Sequence, residues 1–344
     1  MKKKALVAMS GGVDSSVCAY LAIKNGYDCI GATMRLCKKD FESKDAEDAA
    51  AVCRKLGIPH HVFDMSEQFR EKVIDAFVCE YERGATPNPC ILCNKHLKFG
   101  VLFEKAKELG CDTIVTGHYA RIEKGSCGYE LKKAKDSAKD QSYVLYVLDK
   151  NMLKNIYLPL GDITKEEARK IALEMGFVTA HKSDSQDICF VPDGDYASVI
   201  SAYSGKTYPK GNFTDVSGSV LGQHKGIIHY TVGQRKGLGI AFGKPMYVKE
   251  KNVQTNSVVL ASNEELFSKE LIAENFNLLF EPVSNTVRAA AKIRYNQTEQ
   301  NATVYLEDNH RARVVFDAPQ RAIAKGQSVV IYDKDRVLGG GTIV

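Results

Sequence analysis

Seven residues, Ser10-Gly11-Gly12-Val13-Asp14-Ser15-Ser16, restrict the fold of this chain more than any other stretch. The apolar run Ala5-Leu6-Val7-Ala8-Met9 stands before them and reads as a buried strand. After them Val13, Val17, Tyr20 and Leu21 recur at helical spacing, and Gly26 closes the helix. A strand that enters a helix through paired glycines leaves backbone N–H groups unpaired at the positive end of the helix dipole. Phosphate oxygens fit there. Ser10, Ser15 and Ser16 add hydroxyl donors, and Asp14 is a candidate magnesium ligand. The turn has no lysine, so it is not the GxxxxGK[ST] loop.

The rest of the first half alternates strands and helices. Strands are expected at Cys29–Met34, Val62-Phe63 and Thr113–Thr116, and helices from Ser43 to Leu56, Ser66 to Arg83 and Asn94 to Leu109. A short hairpin is expected over Ala120–Lys133, and Thr164-Lys165-Glu166-Glu167 is a capping box opening a helix to Met175. This order predicts an α/β fold with a doubly wound parallel sheet, whose ligands bind outside the carboxyl ends of the strands. Met34 and Gly117 lie at that edge and are candidates for contact with a nucleoside. A chain of 344 residues allows two or three domains. The expected division is 1–195, a small β-rich unit over 196–262 and a C-terminal antiparallel β-barrel over 263–344.

Composition narrows the setting. No apolar stretch approaches the ~18 residues of a membrane span, so a cytoplasmic protein without membrane contact is expected. Ten cysteines are then not a disulfide framework, and Cys18, Cys53 and Cys79 read as small core residues. Between Lys206 and Lys251 there are eight Lys or Arg against two acids, in a chain with net charge +5. Such a zone suits a polyanion. Its His229-Tyr230-Thr231-Val232-Gly233-Gln234-Arg235-Lys236 segment offers cations for phosphates beside a Tyr able to stack on a base.

The stretch Thr86-Pro87-Asn88-Pro89-Cys90-Ile91-Leu92-Cys93-Asn94 is the second informative site. Its prolines stiffen a loop, and a helix beginning at Asn94 puts Cys93 at a helix N-terminus, where a thiolate is favoured. The Cys-x-x-Cys spacing alone leaves metal ligation, a redox pair and coincidence open. Cys189 stands by itself in the polar stretch Ser183–Phe190.

Taken together, the chain resembles the tRNA-specific 2-thiouridylases, the MnmA family. The matching residues are SGGVDSS, TPNPxxLCN at Thr86–Asn94, TGHYAR at Thr116–Arg121, KDQSY at Lys139–Tyr143, SDSQDICF at Ser183–Phe190 and HYTVGQRKGLG at His229–Gly239. The resemblance implies an adenine nucleotide hydrolase-like first domain that uses ATP and magnesium to adenylate the 2-carbonyl oxygen of a wobble uridine in tRNA. Sulfur then displaces AMP. ATP contacts are implied at Ala8, Met9, Ser10, Gly11, Gly12, Val13, Asp14, Ser15, Met34 and Gly117. Contacts with tRNA are implied at Asn88, Pro89, His118, Lys139, Asp140, Gln141, Arg235, Lys236, Arg294, Tyr295 and Gln327. The same resemblance makes Cys189 a persulfide carrier and Cys93 the second thiol, with a persulfide relay protein or inorganic sulfide as donor. Cys90 departs from the pattern, because many members have Asp there. Cys90, Cys93 and Cys189 are also the ligand set of a [4Fe-4S] cluster with one iron left open, and that third cysteine favours the cluster. Two other readings compete: a ligase or amidotransferase acting on a small metabolite, and a tRNA-binding protein with a degenerate nucleotide fold.

Overall fold

The computed structural model describes residues 2–37, 44–183, 188–191, 194–240 and 243–344. A five-stranded parallel sheet forms the centre of the first domain, in the order β3-β2-β1-β4-β7. Its strands are β1 (Lys4–Ala8), β2 (Asp28–Arg35), β3 (His60–Asp64), β4 (Thr113–Val115) and β7 (Ile156–Tyr157). Ala5 and Val7 point into one apolar core with Val17, Cys18 and Cys53, and Leu6 points into the other with Phe77, Leu97 and Leu102. Successive side chains of a strand face opposite ways, so a strand apolar at every position is one covered on both faces. The chain runs outward from β1 through β2 to β3 and then returns to β4 on the other flank of β1. That reversal places the crevice at the carboxyl ends of β1 and β4.

The helices follow the sequence signals at their ends. Val13–Lys24 follows the glycine turn, and Asp45–Leu56 stops at Gly57 in the left-handed conformation. The expected Ser43 cap lies outside the described residues. At Thr164 the capping box is complete, with both reciprocal bonds to Glu167. One boundary is corrected. The helix expected from Asn94 begins at Pro89, with the Asn88 side chain accepting from the Cys90 N–H at 3.1 Å. Proline suits the first helical position because its missing N–H would have had no partner there. Over Cys93–Val101 this helix widens to π geometry.

After the helix Tyr196–Ser204 the second half is mostly β. β8 (Gly211–Thr214), β9 (Val220–His224), β10 (Tyr247–Asn252) and β11 (Ser257–Ala261) make a small sheet in the order β10-β11-β8-β9. The last six strands are β12 (Phe267–Leu278), β13 (Thr286–Lys292), β14 (Gln300–Glu307), β15 (Arg311–Arg321), β16 (Ser328–Asp333) and β17 (Arg336–Ile343). Pairing of β12 with both β15 and β17 closes them into an antiparallel barrel. The predicted hairpin, β5 (Ala120–Gly125) with β6 (Gly128–Lys133), has another allegiance than its sequence position suggests. It adds to the barrel sheet through Lys132 opposite Arg336, and Arg121 pairs with Asp335 at 2.7 Å. The barrel is thereby fastened to the first domain.

Candidate active site at the carboxyl edge of the parallel sheet

The turn after β1 has a geometry that few residues allow. Gly11 has φ +72°, and a Cβ there would lie 2.2 Å from the Asp45 carbonyl oxygen. Only glycine fits. Gly12 caps the helix without any side-chain bond, so the first-turn N–H groups keep their capacity for an anion. Ser15 Oγ accepts from the Ser10 N–H at 3.2 Å and donates to the Gly12 carbonyl at 3.1 Å. Ser16 donates to the same carbonyl at 2.8 Å and is spent on structure, being buried against Thr179.

Asp14 is bound more closely than its sequence context indicates. Its Oδ1 accepts from the Tyr119 hydroxyl at 2.9 Å and from Lys165 Nζ at 2.7 Å, while Oδ2 receives no bond among the described residues. Lys182 Nζ donates to the Gly11 carbonyl at 2.9 Å and pairs with Asp45 and Asp48. Sequence reasoning missed both lysines and the role of Tyr119. Lys165 was legible only as a helix start, since its partner is 151 positions away.

Gly117 is at the turn itself, where a Cβ would come within 3.3 Å of the Asp14 Cβ and 3.4 Å of the Ser15 nitrogen. Met34, at the end of β2, is half-buried and packs on the core beside Phe63. Gln141 holds Tyr119 through both its backbone N–H and its side-chain oxygen, at 2.7 and 2.9 Å. Asp140 accepts from Ala134 and Ser142, so it builds the loop that presents Gln141. Lys139 is half-buried on the same loop, its N–H bonded to the Asp136 carbonyl.

His118, expected to meet tRNA, is only 5% exposed. It is a partner of Thr116 Oγ1 at 2.8 Å and of Lys98 Nζ at 3.4 Å. Burial, aided by the Lys98 charge, keeps its pKa well below the usual histidine value, so the ring is neutral. Lysine can only donate, so Nε2 accepts and the proton is on Nδ1, directed at Thr116. This contact joins the glycine turn to the cysteine helix, because the neighbouring Tyr119 bonds Asp14 and Lys98 is on the helix of Cys93.

Cys93 is 8% exposed and one turn inside the helix, so the expected N-terminal activation is corrected. Burial pushes its thiol pKa up, partly opposed by Lys98. The i→i+5 bonding of π geometry brings Lys98 round to the Cys93 face. Cys90 is exposed near Tyr295. Cys189 is exposed near Tyr203, and four residues of its motif, 184–187, lie outside the described residues. Among the described residues no three His, Cys, Asp or Glu side chains are gathered closely enough to hold a metal. The arrangement of Cys90, Cys93 and Cys189 therefore does not fit a cluster, although the donor chemistry does.

Residues of the barrel reach Tyr143 and the stretch just before the cysteine helix. Tyr295 of the barrel stacks edge-on against Tyr143 at 6.0 Å, with its pKa pushed up to about 12 by burial, then by Asp140 and Cys90. Gln327 Nε2 donates to the Thr86 carbonyl at 2.6 Å, and the Thr86 N–H donates to the Lys325 carbonyl at 2.8 Å. Pro89 is buried at the start of the cysteine helix. Arg294 bonds the Ala322 carbonyl beside Gly233 of the GQRKG turn, while Arg235 and Lys236 on that turn are exposed. Tyr230 is 2% exposed and packs edge-on against Phe213, so it is a core residue and not a base-stacking platform.

Three family models match the chain in succession: the tRNA methyl transferase HUP domain over residues 3–193, its PRC-barrel domain over 198–262, and the aminomethyltransferase beta-barrel domain over 268–343. The tRNA-specific 2-thiouridylase MnmA of Clostridioides difficile is 50% identical across 100% of this chain and 98% of its own length. The chain belongs to the tRNA-specific 2-thiouridylase family. The Clostridium beijerinckii family member is 48% identical over 100% of this chain and 99% of its own. Among solved structures, the U34-tRNA thiolase NcsA from Methanococcus maripaludis with its [4Fe-4S] cluster has 21% identity and a TM-score of 0.37, covering 59% of this chain and 65% of the other. Among the described residues, no helix of this family member is long and apolar enough to cross a membrane.

Proposed function

We propose that this chain thiolates the 2-position of the wobble uridine in tRNA, using ATP. The observation that carries the reading is the chain of bonds from Asp14 to Tyr119 and, from the adjoining His118, to Lys98 on the cysteine helix. It gives one sheet edge both an anion-binding turn and a thiol, the two parts that activation and sulfur transfer need. A carbonyl oxygen is a poor leaving group. The uridine O2 attacks the α-phosphorus, pyrophosphate departs, and the oxygen leaves later as part of AMP. Ala8 to Ser15 form the phosphate cradle, Met34 and Gly117 border the nucleoside, and Asp14 Oδ2 suits magnesium. That ion commonly takes one or two carboxylates and completes its shell with phosphate oxygens and water.

For sulfur, the reading is a relay between two thiols. The Cys93 thiolate attacks the Cys189 sulfur of a persulfide, the persulfide S–S bond breaks, and hydrosulfide is released to displace AMP. The product is a Cys93–Cys189 disulfide, which an external dithiol reopens. Cys189 must approach Cys93 for this step. A persulfide relay protein loads Cys189 where it is exposed, passing its outer sulfur to the Cys189 thiolate while its own thiol leaves. Inorganic sulfide would load it by opening the Cys93–Cys189 disulfide to give the Cys189 persulfide and the Cys93 thiol. The tRNA would lie along Asn88, Lys139, Arg235, Lys236 and Tyr295, with Arg294 and Gln327 behind that surface.

Cys90 separates the relay from a cluster. Anaerobically prepared Cys90→Ala protein should thiolate tRNA at a rate within about threefold of wild type, and Cys93→Ser should release pyrophosphate and stop at the adenylated tRNA, forming neither AMP nor thiouridine. Wild-type protein that holds iron and acid-labile sulfide, with both lost in Cys90→Ala together with activity, would replace the relay by the cluster. AMP release that ignores tRNA would favour a small-metabolite ligase.

A further inference from the structure

The phosphate turn has no lysine of its own, and it bears a carboxylate, Asp14, at the second position of its helix. A carboxylate beside polyphosphate repels it unless a cation intervenes. The fold brings one from a distant stretch of the chain. Lys165 is the first residue of the ten-residue helix Lys165–Glu174, whose capping box fixes how the chain enters it. Its backbone N–H is held by Asp136 Oδ2 at 3.0 Å, and its side chain is 11% exposed with Nζ 2.7 Å from Asp14 Oδ1. Tyr119 bonds the same oxygen at 2.9 Å, which fixes where the carboxylate and the ammonium meet. Lys182 has a different task. Two carboxylates, Asp45 and Asp48, match its charge while it holds the Gly11 carbonyl.

We propose that Lys165 is a catalytic residue for nucleotide activation, its ammonium binding phosphate oxygens at the turn and stabilising the pyrophosphate that departs. The inference rests on reading the turn as the ATP site. In the step concerned, the uridine O2 forms a bond to the α-phosphorus while the bond from that phosphorus to the bridging oxygen breaks. The electron pair leaves on pyrophosphate. Charge therefore builds on the leaving group, and a cation already in place there stabilises the transition state more than the bound ATP. The Asp14 contact holds the ammonium in position before ATP arrives, so little rearrangement remains for the reaction.

The test uses the full chain with a tRNA transcript, ATP, a persulfide donor and a dithiol, comparing wild type, Lys165→Met and Lys165→Arg. Removing one preorganised donor of this kind typically costs about 100-fold or more in kcat. Lys165→Met should lower the kcat for AMP release by about that factor, with the KM for ATP changed by less than about threefold. Inhibition by added pyrophosphate should weaken about tenfold, and Lys165→Arg should recover part of both effects. Melting temperatures check the fold, and Lys165→Gln replaces a methionine variant that melts early. Wild-type kcat in the variant would overturn the inference. So would a fall in kcat and melting temperature together with unchanged pyrophosphate inhibition, the mark of a purely structural lysine. Wild-type protein that binds no ATP would instead overturn the reading of the turn, and this inference with it.

Discussion

Lys251 carries an ammonium from β10 into the seam between the central and first domains. It is 8% exposed, donates to the Ala85 carbonyl at 3.2 Å, and lies over the Tyr81 ring at 5.3 Å. Burial lowers its pKa from 10.5 to about 8. Between those two values the unfolded chain binds more protons than the folded one, so this residue makes stability rise with pH. Below about pH 8 the ammonium is charged in both states and its burial cost is felt in full. Over the whole window the relief amounts to roughly 3 kcal/mol. Urea unfolding at pH 7.5 and 9.5 should show wild type gaining stability relative to Lys251→Met. Parallel pH dependence in the two proteins would mean that the ammonium keeps its ordinary pKa.

Two elements from different domains grip the backbone just before the cysteine helix. Lys251 bonds the carbonyl of Ala85, while the barrel turn at Lys325–Gln327 takes both backbone groups of Thr86. A Cβ on Gly326 would come 2.9 Å from the Thr86 nitrogen, so the contact is close. Gln327→Leu should therefore leave tRNA affinity within about twofold while reducing thiolation about tenfold, because it loosens the helix and not the RNA surface. Equal falls in affinity and turnover would make Gln327 an RNA contact. The glycine turn, the capping box and the period-two strands were legible in sequence because each is a local rule, satisfied within a few residues. The start of the cysteine helix was hidden because Pro89 looks like a breaker unless Asn88 is seen to cap it. Lys165, Lys98 and the burial of His118 and Tyr230 were not legible, since their partners come from distant stretches that only the fold brings together.

At the scale of the molecule, the three units are fastened through the site. The β5–β6 hairpin of the first domain extends the barrel sheet, and Tyr143 donates to the Ser328 carbonyl at 2.7 Å across the same seam. On the central side, Lys206 pairs with Glu82 at 2.8 Å, and Tyr196 stacks on Tyr81 at 6.3 Å. An RNA held by the basic central zone and the barrel would thus meet the nucleotide turn and the cysteine helix at a set distance. Activation and sulfur transfer are predicted to depend on one bound tRNA. The most direct measurement is nucleoside mass spectrometry on a tRNA transcript incubated with the protein, ATP, a persulfide donor and a dithiol, with AMP counted in the same tubes. The account predicts one 2-thiouridine for each AMP, none of either without tRNA, and no thiouridine from Cys93→Ser. AMP formed at the same rate without tRNA, or thiouridine formed at wild-type rate by Cys93→Ser, would contradict it.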